Sequence, residues 1–159
     1  MTADKTVSDA TLPFLAQAIP TPPASNLPNA PHGVAFAVDS NVLASEGGTD
    51  PVFGSVTWKT LISGDRTATS EFVLGIAEFG PFGTLNPHRH APAEFYLGIA
   101  GSGIVTIDGT DHQISAGVAI YVPGNAEHAT VAGQDGLVFA YGFAEAAFTG
   151  IEYLFSAVA

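Results

Sequence analysis

From residue 52 onward the chain alternates short apolar-rich runs with breaks marked by glycine, proline or aspartate. Residues 56–63 are rich in β-branched and aromatic side chains and predict a strand. A turn follows at 64–69 and a second strand at 71–79. Shorter strands are predicted at 94–100, 103–108, 111–115, 118–122, 127–132 and 136–144, with a last one near 151–155. Asp108-Gly109 is a hairpin dipeptide between two of them. Helical periodicity is missing after residue 50, and no repeat of solenoid period is visible. Many short strands at fairly regular spacing predict an all-β sandwich or barrel over 51–159.

Residues 1–50 read differently. The stretch 9–19 predicts a short helix, with Asp9 or Thr11 as N-cap and Pro13 in its first turn. Prolines then crowd the chain up to Pro31 and forbid regular helix or central strand. Leu12, Phe14, Leu15 and Ile19 are more apolar than a solvated linker requires, so an arm docked on another surface is expected.

Charge narrows the possible partners. Four Lys+Arg stand against 15 Asp+Glu, a formal net charge of −11. Such a surface repels a phosphate backbone and an anionic bilayer, so neither nucleic acid nor membrane is an expected partner. With no cysteine in the chain, disulfides, thiolate metal sites and Cys nucleophiles are excluded. No basic segment leads into an apolar stretch at the N-terminus, and no apolar run reaches roughly 18 residues. A cytoplasmic protein is therefore expected.

The histidines carry the candidate chemistry. His88 and His90 stand at i and i+2, which on a strand puts both rings on one face. Pro92 marks a bend, after which Glu94 re-enters that face from the next strand. His128 follows on a later strand, after the turn begun by Pro123. Three neutral imidazoles and one carboxylate converging form a site for one divalent transition metal. Ligand softness leaves Fe, Zn, Mn and Ni open. Arg89, between two ligands, should point away from them, as should Glu127 beside His128. Glu71 and Glu78 are candidate hydrogen-bond partners for a ligand histidine. His112 and His32 read as exposed.

A lone His-x-His is ordinarily a packing feature; the two-part pattern is more specific. Residues 83–101, with Gly83, His88, His90, Glu94 and Gly101, resemble the first cupin motif. Residues 117–128, with Gly117, Pro123 and His128, resemble the second. The resemblance implies a double-stranded β-helix of jelly-roll type, and it places the family's metal ligands on His88, His90, Glu94 and His128. The departures touch turns: Gly83 stands one residue closer to the first histidine than usual, and Ala132 stands where the second motif has its late asparagine.

The spacing of His88, His90, Glu94, Tyr96 and His128 is also similar to that of the cupin dimethylsulfoniopropionate lyases. That likeness implies Tyr96 as the base that removes a proton next to a carboxylate, with β-elimination of a leaving group. The substrate would be a small organic carboxylate. The same ligand set would serve an Fe(II) dioxygenase, a sugar isomerase or epimerase, or a cupin that only binds a small molecule or metal. Tyr121 and Tyr141 are alternative bases. The pocket would be lined by Phe72, Leu74, Ile76 and Phe139, or by the opposite registers, and Trp58 could stack a cationic substrate group.

Alternation has one further consequence. With Glu94 and Tyr96 inward, Phe95, Leu97 and Ile99 face outward and need cover. The arm or a second subunit would supply it, and a homodimer is expected.

Overall fold

The computed structural model describes residues 33–156; the expected helix at 9–19 and the proline-rich stretch lie outside them. The described residues form strands β1 (Glu46–Gly47), β2 (Thr57–Ile62), β3 (Val73–Phe79), β4 (Thr84–Arg89), β5 (Glu94–Ile107), β6 (Thr110–Ser115), β7 (Ala119–Val122), β8 (His128–Phe143) and β9 (Leu154–Phe155). Single 3₁₀ turns occur at Ser40–Val42 and Phe148–Gly150. All pairings are antiparallel. The result is an all-β jelly-roll barrel. Among the described residues no helix is long and apolar enough to cross a membrane.

Two long strands organise the barrel. The first half of β5 pairs with β7 and with the second half of β8, which continues to β3, β2 and β1. The second half of β5 pairs with β6 and with the first half of β8, which continues to β4 and β9. Each long strand thus passes from one wall to the other through a corner. The pattern of buried residues changes frame there. In β8 it runs His128, Thr130, Ala132 and then Leu137, Phe139, Tyr141, Phe143. This change of frame makes β5 and β8 each read as two strands in the sequence.

Glycines make the corners possible. Gly101 and Gly136 have φ of 68° and 77°, in the left-handed region. A Cβ on Gly101 would stand 2.1 Å from the Gly136 carbonyl oxygen, and one on Gly136 would stand 2.5 Å from that of Phe79. The tight turn at Asp108-Gly109 is the hairpin expected between β5 and β6.

β4 is absent from the strands predicted by pattern. Pro87 lies inside it and the register slips between Leu85 and His88, so the segment lacks clean alternation. Its neighbours still hold it: β8 on one side and β9 on the other. The sheet also begins upstream of residue 51, since β1 pairs with β2. Arg66 grips the Glu46 carboxylate with both guanidinium nitrogens and anchors β1 to the turn after β2.

The register of β3 corrects one expectation. Val73, Gly75, Ala77 and Phe79 point inward, so Phe72, Leu74 and Ile76 do not line the interior. A Cβ on Gly75 would fall 2.2 Å from the Tyr141 ring. The small residues of β3 therefore face in because the Tyr141 ring fills the space above them, and a one-residue slip would drive Leu74 or Ile76 into it.

Replacing Gly101 by Ala should destabilise the protein by roughly 2 kcal/mol or more, the cost of a strained left-handed residue plus a carbonyl clash. Urea unfolding of the variant against the parent measures it.

Candidate metal centre and cavity

Four elements bring the candidate ligands together. His88 lies on β4, His90 just past its end, Glu94 opens β5 and His128 opens β8. His88 and His128 are cross-strand partners, with ring centroids 4.1 Å apart. His90 is 4.8 Å from His128 and 5.7 Å from His88 by the same measure. All four side chains are buried. The turn before β8 locks onto the loop after β4: the Asn125 amide donates to the His90 carbonyl at 2.8 Å. Asp108 exchanges bonds with Glu127, accepting from its amide and donating to its carbonyl, which fixes the chain one residue before His128.

Backbone carbonyls set the imidazole tautomers. Nδ1 of His88 lies 2.8 Å from the Asn86 carbonyl oxygen, that of His90 2.9 Å from Pro92, and that of His128 2.9 Å from Ala126. A carbonyl only accepts, so each Nδ1 carries the proton and each Nε2 is left for the interior. One candidate ligand atom from each ring lies within 4.8 Å of the others. The Nε2 of His128 is buried with no hydrogen-bond partner. Glu94 Oε2 sits 3.2 Å from His90 Nε2 and 3.4 Å from His128 Nε2. Three oriented imidazole nitrogens beside a buried carboxylate, one of them without a partner, fit a divalent transition ion.

Protonation follows the same contacts. Burial, and next the neighbouring His128, push His88 down to about 4. Burial also opposes charge on His90, but the hydrogen bond and negative charge of Glu94 outweigh it and raise His90 overall. Burial pushes the Glu94 carboxyl up, but the neighbouring His128 and His90 outweigh it and hold it below the ordinary carboxylate range.

Of these groups His88 and Glu94 line a cavity. Tyr96 lines it with them; it is buried, packs on Phe139 at 4.3 Å, and its hydroxyl has no hydrogen-bond partner. Burial and then the Glu94 charge raise its phenol well above the usual range. Trp58, Phe139 and Tyr141 also line the cavity. The Tyr141 hydroxyl meets Thr60 Oγ1 at 3.2 Å. Tyr121 does not reach the cavity: alternation in β7 turns it outward, 69% exposed, which removes it as an alternative base.

Sequence reasoning missed Val56 and Leu85 and, more importantly, three lining aromatics, Phe53, Phe148 and Tyr153. These three aromatics come from outside the strands. Tyr153 stacks on His88 with centroids 5.2 Å apart, and burial followed by the Glu94 charge lifts its phenol well above the usual range. Glu71 and Glu78 do not serve the histidines: Glu71 is exposed, and Glu78 faces Lys59 at 4.0 Å. The carbonyls take that role. Arg89 and Glu127 point away as expected and pair at 3.2 Å. Ser156 donates to the same carboxylate, tying the chain after β9 to the start of β8. His112 is exposed, and His32 lies outside the described residues.

Comparison with known proteins supports these features. The family described as "Cupin domain" matches residues 75–139. Dimethylsulfoniopropionate lyase DddW of Ruegeria pomeroyi is 60% identical over 134 residues, covering 84% of this chain and 86% of the relative. Polyketide cyclase RemF from Streptomyces resistomycificus superposes with a TM-score of 0.66 at 21% identity, over 79% of this chain and 88% of that one. A structure of the dimethylsulfoniopropionate lyases RdDddP and RnDddQII gives 0.57 at 21% identity, over 65% and 53%. The two structural likenesses carry the fold.

The depressed His88 gives a signed pH dependence. Unfolded His88 takes up a proton near pH 6.5, but folded His88 does so only near 4. Its contribution to the stability of metal-free protein is therefore complete above about 6.5 and lost as pH falls toward about 4. At about 1.4 kcal/mol per pKa unit it amounts to a few kcal/mol at most. Urea denaturation across this window should show a shallower acid slope in His88→Gln than in the parent.

Proposed function

We propose, for a chain that belongs to the cupin dimethylsulfoniopropionate lyase family, that it is a metal-dependent lyase cleaving a small sulfonium carboxylate by β-elimination. The observation carrying this reading is the placement of Tyr96. It stands two residues after Glu94 on the inward face of β5, with a buried, unpartnered hydroxyl, and it lines the same cavity as His88 and Glu94.

In this reading His88, His90 and His128 hold one divalent ion through their Nε2 atoms, with Glu94 as the anionic ligand. Fe, Zn, Mn and Ni all suit that donor set. The ion, when bound, supplies Lewis acidity toward the substrate carboxylate and offsets the negative charge that builds up beside it. The protein does the rest. The Tyr96 oxygen takes the proton from the carbon next to the carboxylate. The C–H electron pair becomes the new double bond, the carbon–sulfur bond breaks, and neutral dimethyl sulfide leaves with its pair. Acrylate remains. Burial and the Glu94 charge both hold Tyr96 protonated, so its use as a base depends on a cation at the histidines to offset that charge. Val56, Ala77, Leu85 and Phe139 make the walls around the reacting carbon apolar.

Elimination consumes no oxidant, so turnover should be equal with and without O₂. Tyr96→Phe should lower kcat by about 10²-fold or more while keeping its metal. His88→Ala should lose metal and activity together. Metal analysis beside acrylate release under nitrogen checks all three, and a Tyr96→Phe variant within tenfold of the parent would move the base elsewhere.

The outer wall suggests an assembly. Phe95, Leu97 and Ile99 are 43%, 42% and 48% exposed in a row on β5, with Tyr121 beside Phe95 on β7. A homodimer built on this face is part of the proposal. Sedimentation at micromolar concentration should give a dimer, and Leu97→Glu should shift it to monomer.

A further inference from the structure

Rings wall the cavity beside the histidines: Phe53, Trp58, Phe148 and Tyr153, with Tyr141 beside Phe148 and Tyr153 stacked on His88. Phe53 lies 5.4 Å from Trp58 and 6.4 Å from Tyr153, Phe148 lies 6.0 Å from Tyr153 and 5.9 Å from Tyr141. Their planes meet at 37°, 45°, 64° and 47°, so the rings turn around a space and do not lie flat in one stack. Among the described residues no Lys or Arg lines the cavity, and its one carboxylate, Glu94, faces the histidines. Lys59, Arg66 and Arg89 are engaged elsewhere, with Ser40, Glu46 and Glu127.

From this the geometry points to an onium-binding site: the rings of Phe53, Trp58, Phe148 and Tyr153 hold the sulfonium group of the substrate by cation–π contact. The same site accepts a short carboxylate carrying trimethylammonium in its place, as a ligand that is not cleaved. The identity of the sulfonium rests on the lyase reading above. A methylated onium spreads its charge over its methyl groups and is weakly hydrated, so entering an apolar chamber costs it little. Ring faces then supply the attraction, and most where water is excluded. A carboxylate in that position would bind the cation as well, but would bring water and a buried charge of its own.

Two consequences separate this role from simple packing. The leaving thioether is neutral, so the attraction is strongest in the bound substrate and fades as the carbon–sulfur bond breaks. Removing a ring should therefore raise KM more than it lowers kcat. A tertiary amine is a far poorer leaving group than a thioether, so the trimethylammonium analogue should occupy the site and persist.

Trp58 is the only tryptophan of the chain, so its fluorescence reports occupancy without turnover. The metal-loaded protein is titrated with trimethylammoniopropionate and with its neutral tert-butyl isostere, by fluorescence and by calorimetry. The charged analogue should bind at least about tenfold more tightly than the neutral one, as a desolvated cation–π site requires. Phe53→Leu and Phe148→Leu, checked for folding by their melting temperatures, should each cut that preference by about fivefold and raise KM for the sulfonium substrate with kcat within about threefold. A preference near unity in the parent overturns the proposal, as does an unchanged preference in both folded variants. Charge preference without cleavage of the sulfonium would sink the lyase reading and leave the onium site standing. Cleavage without charge preference would do the reverse.

Discussion

Three backbone carbonyls decide what the buried end of this barrel can bind. Asn86, Pro92 and Ala126 each take the Nδ1 proton of a histidine two residues away. With those protons committed, the imidazoles can present only Nε2 to the interior, and burial holds His88 neutral at ordinary pH. A side-chain partner could swing or titrate; a carbonyl in a strand or tight turn does neither. The donor set is therefore oriented by the chain path itself, before any ion arrives.

That chain path exists because the barrel closes through glycine. β5 and β8 each serve both walls and must turn between them without losing hydrogen-bonded neighbours. At Gly101 and Gly136 the backbone approaches another carbonyl more closely than a Cβ allows, and φ is positive at both. The corners set which residues of the following half-strand face in. On β8 the first half delivers His128 to the histidine cluster, and the second half, in shifted frame, delivers Phe139 and Tyr141 to the cavity wall. One strand thus furnishes both the polar and the aromatic surfaces.

The cavity consequently combines two kinds of surface. One is His88 with the Glu94 carboxylate, which faces His90 and His128. The other is apolar and ring-lined, and Tyr153 joins the two by stacking on His88. The zwitterion proposed as substrate carries a group for each. A doubly anionic or phosphorylated ligand would find no guanidinium or ammonium among the lining residues. The strongly acidic chain keeps its few basic groups on structural duties at the exterior, as Arg66 with Glu46 and Arg89 with Glu127 illustrate.

The sequence by itself determined the all-β class, the hairpin at Asp108-Gly109, the inward set Glu94 and Tyr96, and the buried meeting of His88, His90, Glu94 and His128. These rest on local rules: alternation has a fixed period of two, and the turn residues have steric reasons that need no context. Other features only tertiary structure decided. The inward face of β3 could not be chosen from its own pattern, because both faces are apolar and the Tyr141 ring over Gly75 breaks the tie. Tyr121 turned outward for a similar reason: its direction depends on pairing with Phe95, which no local signal reports. Phe53, Phe148 and Tyr153 reach the cavity from irregular segments, and irregular backbone has no period from which a facing could be read. The carbonyl partners of the histidines are hidden for a deeper reason. Every residue has a carbonyl, so which one an imidazole meets is settled by the folded chain alone.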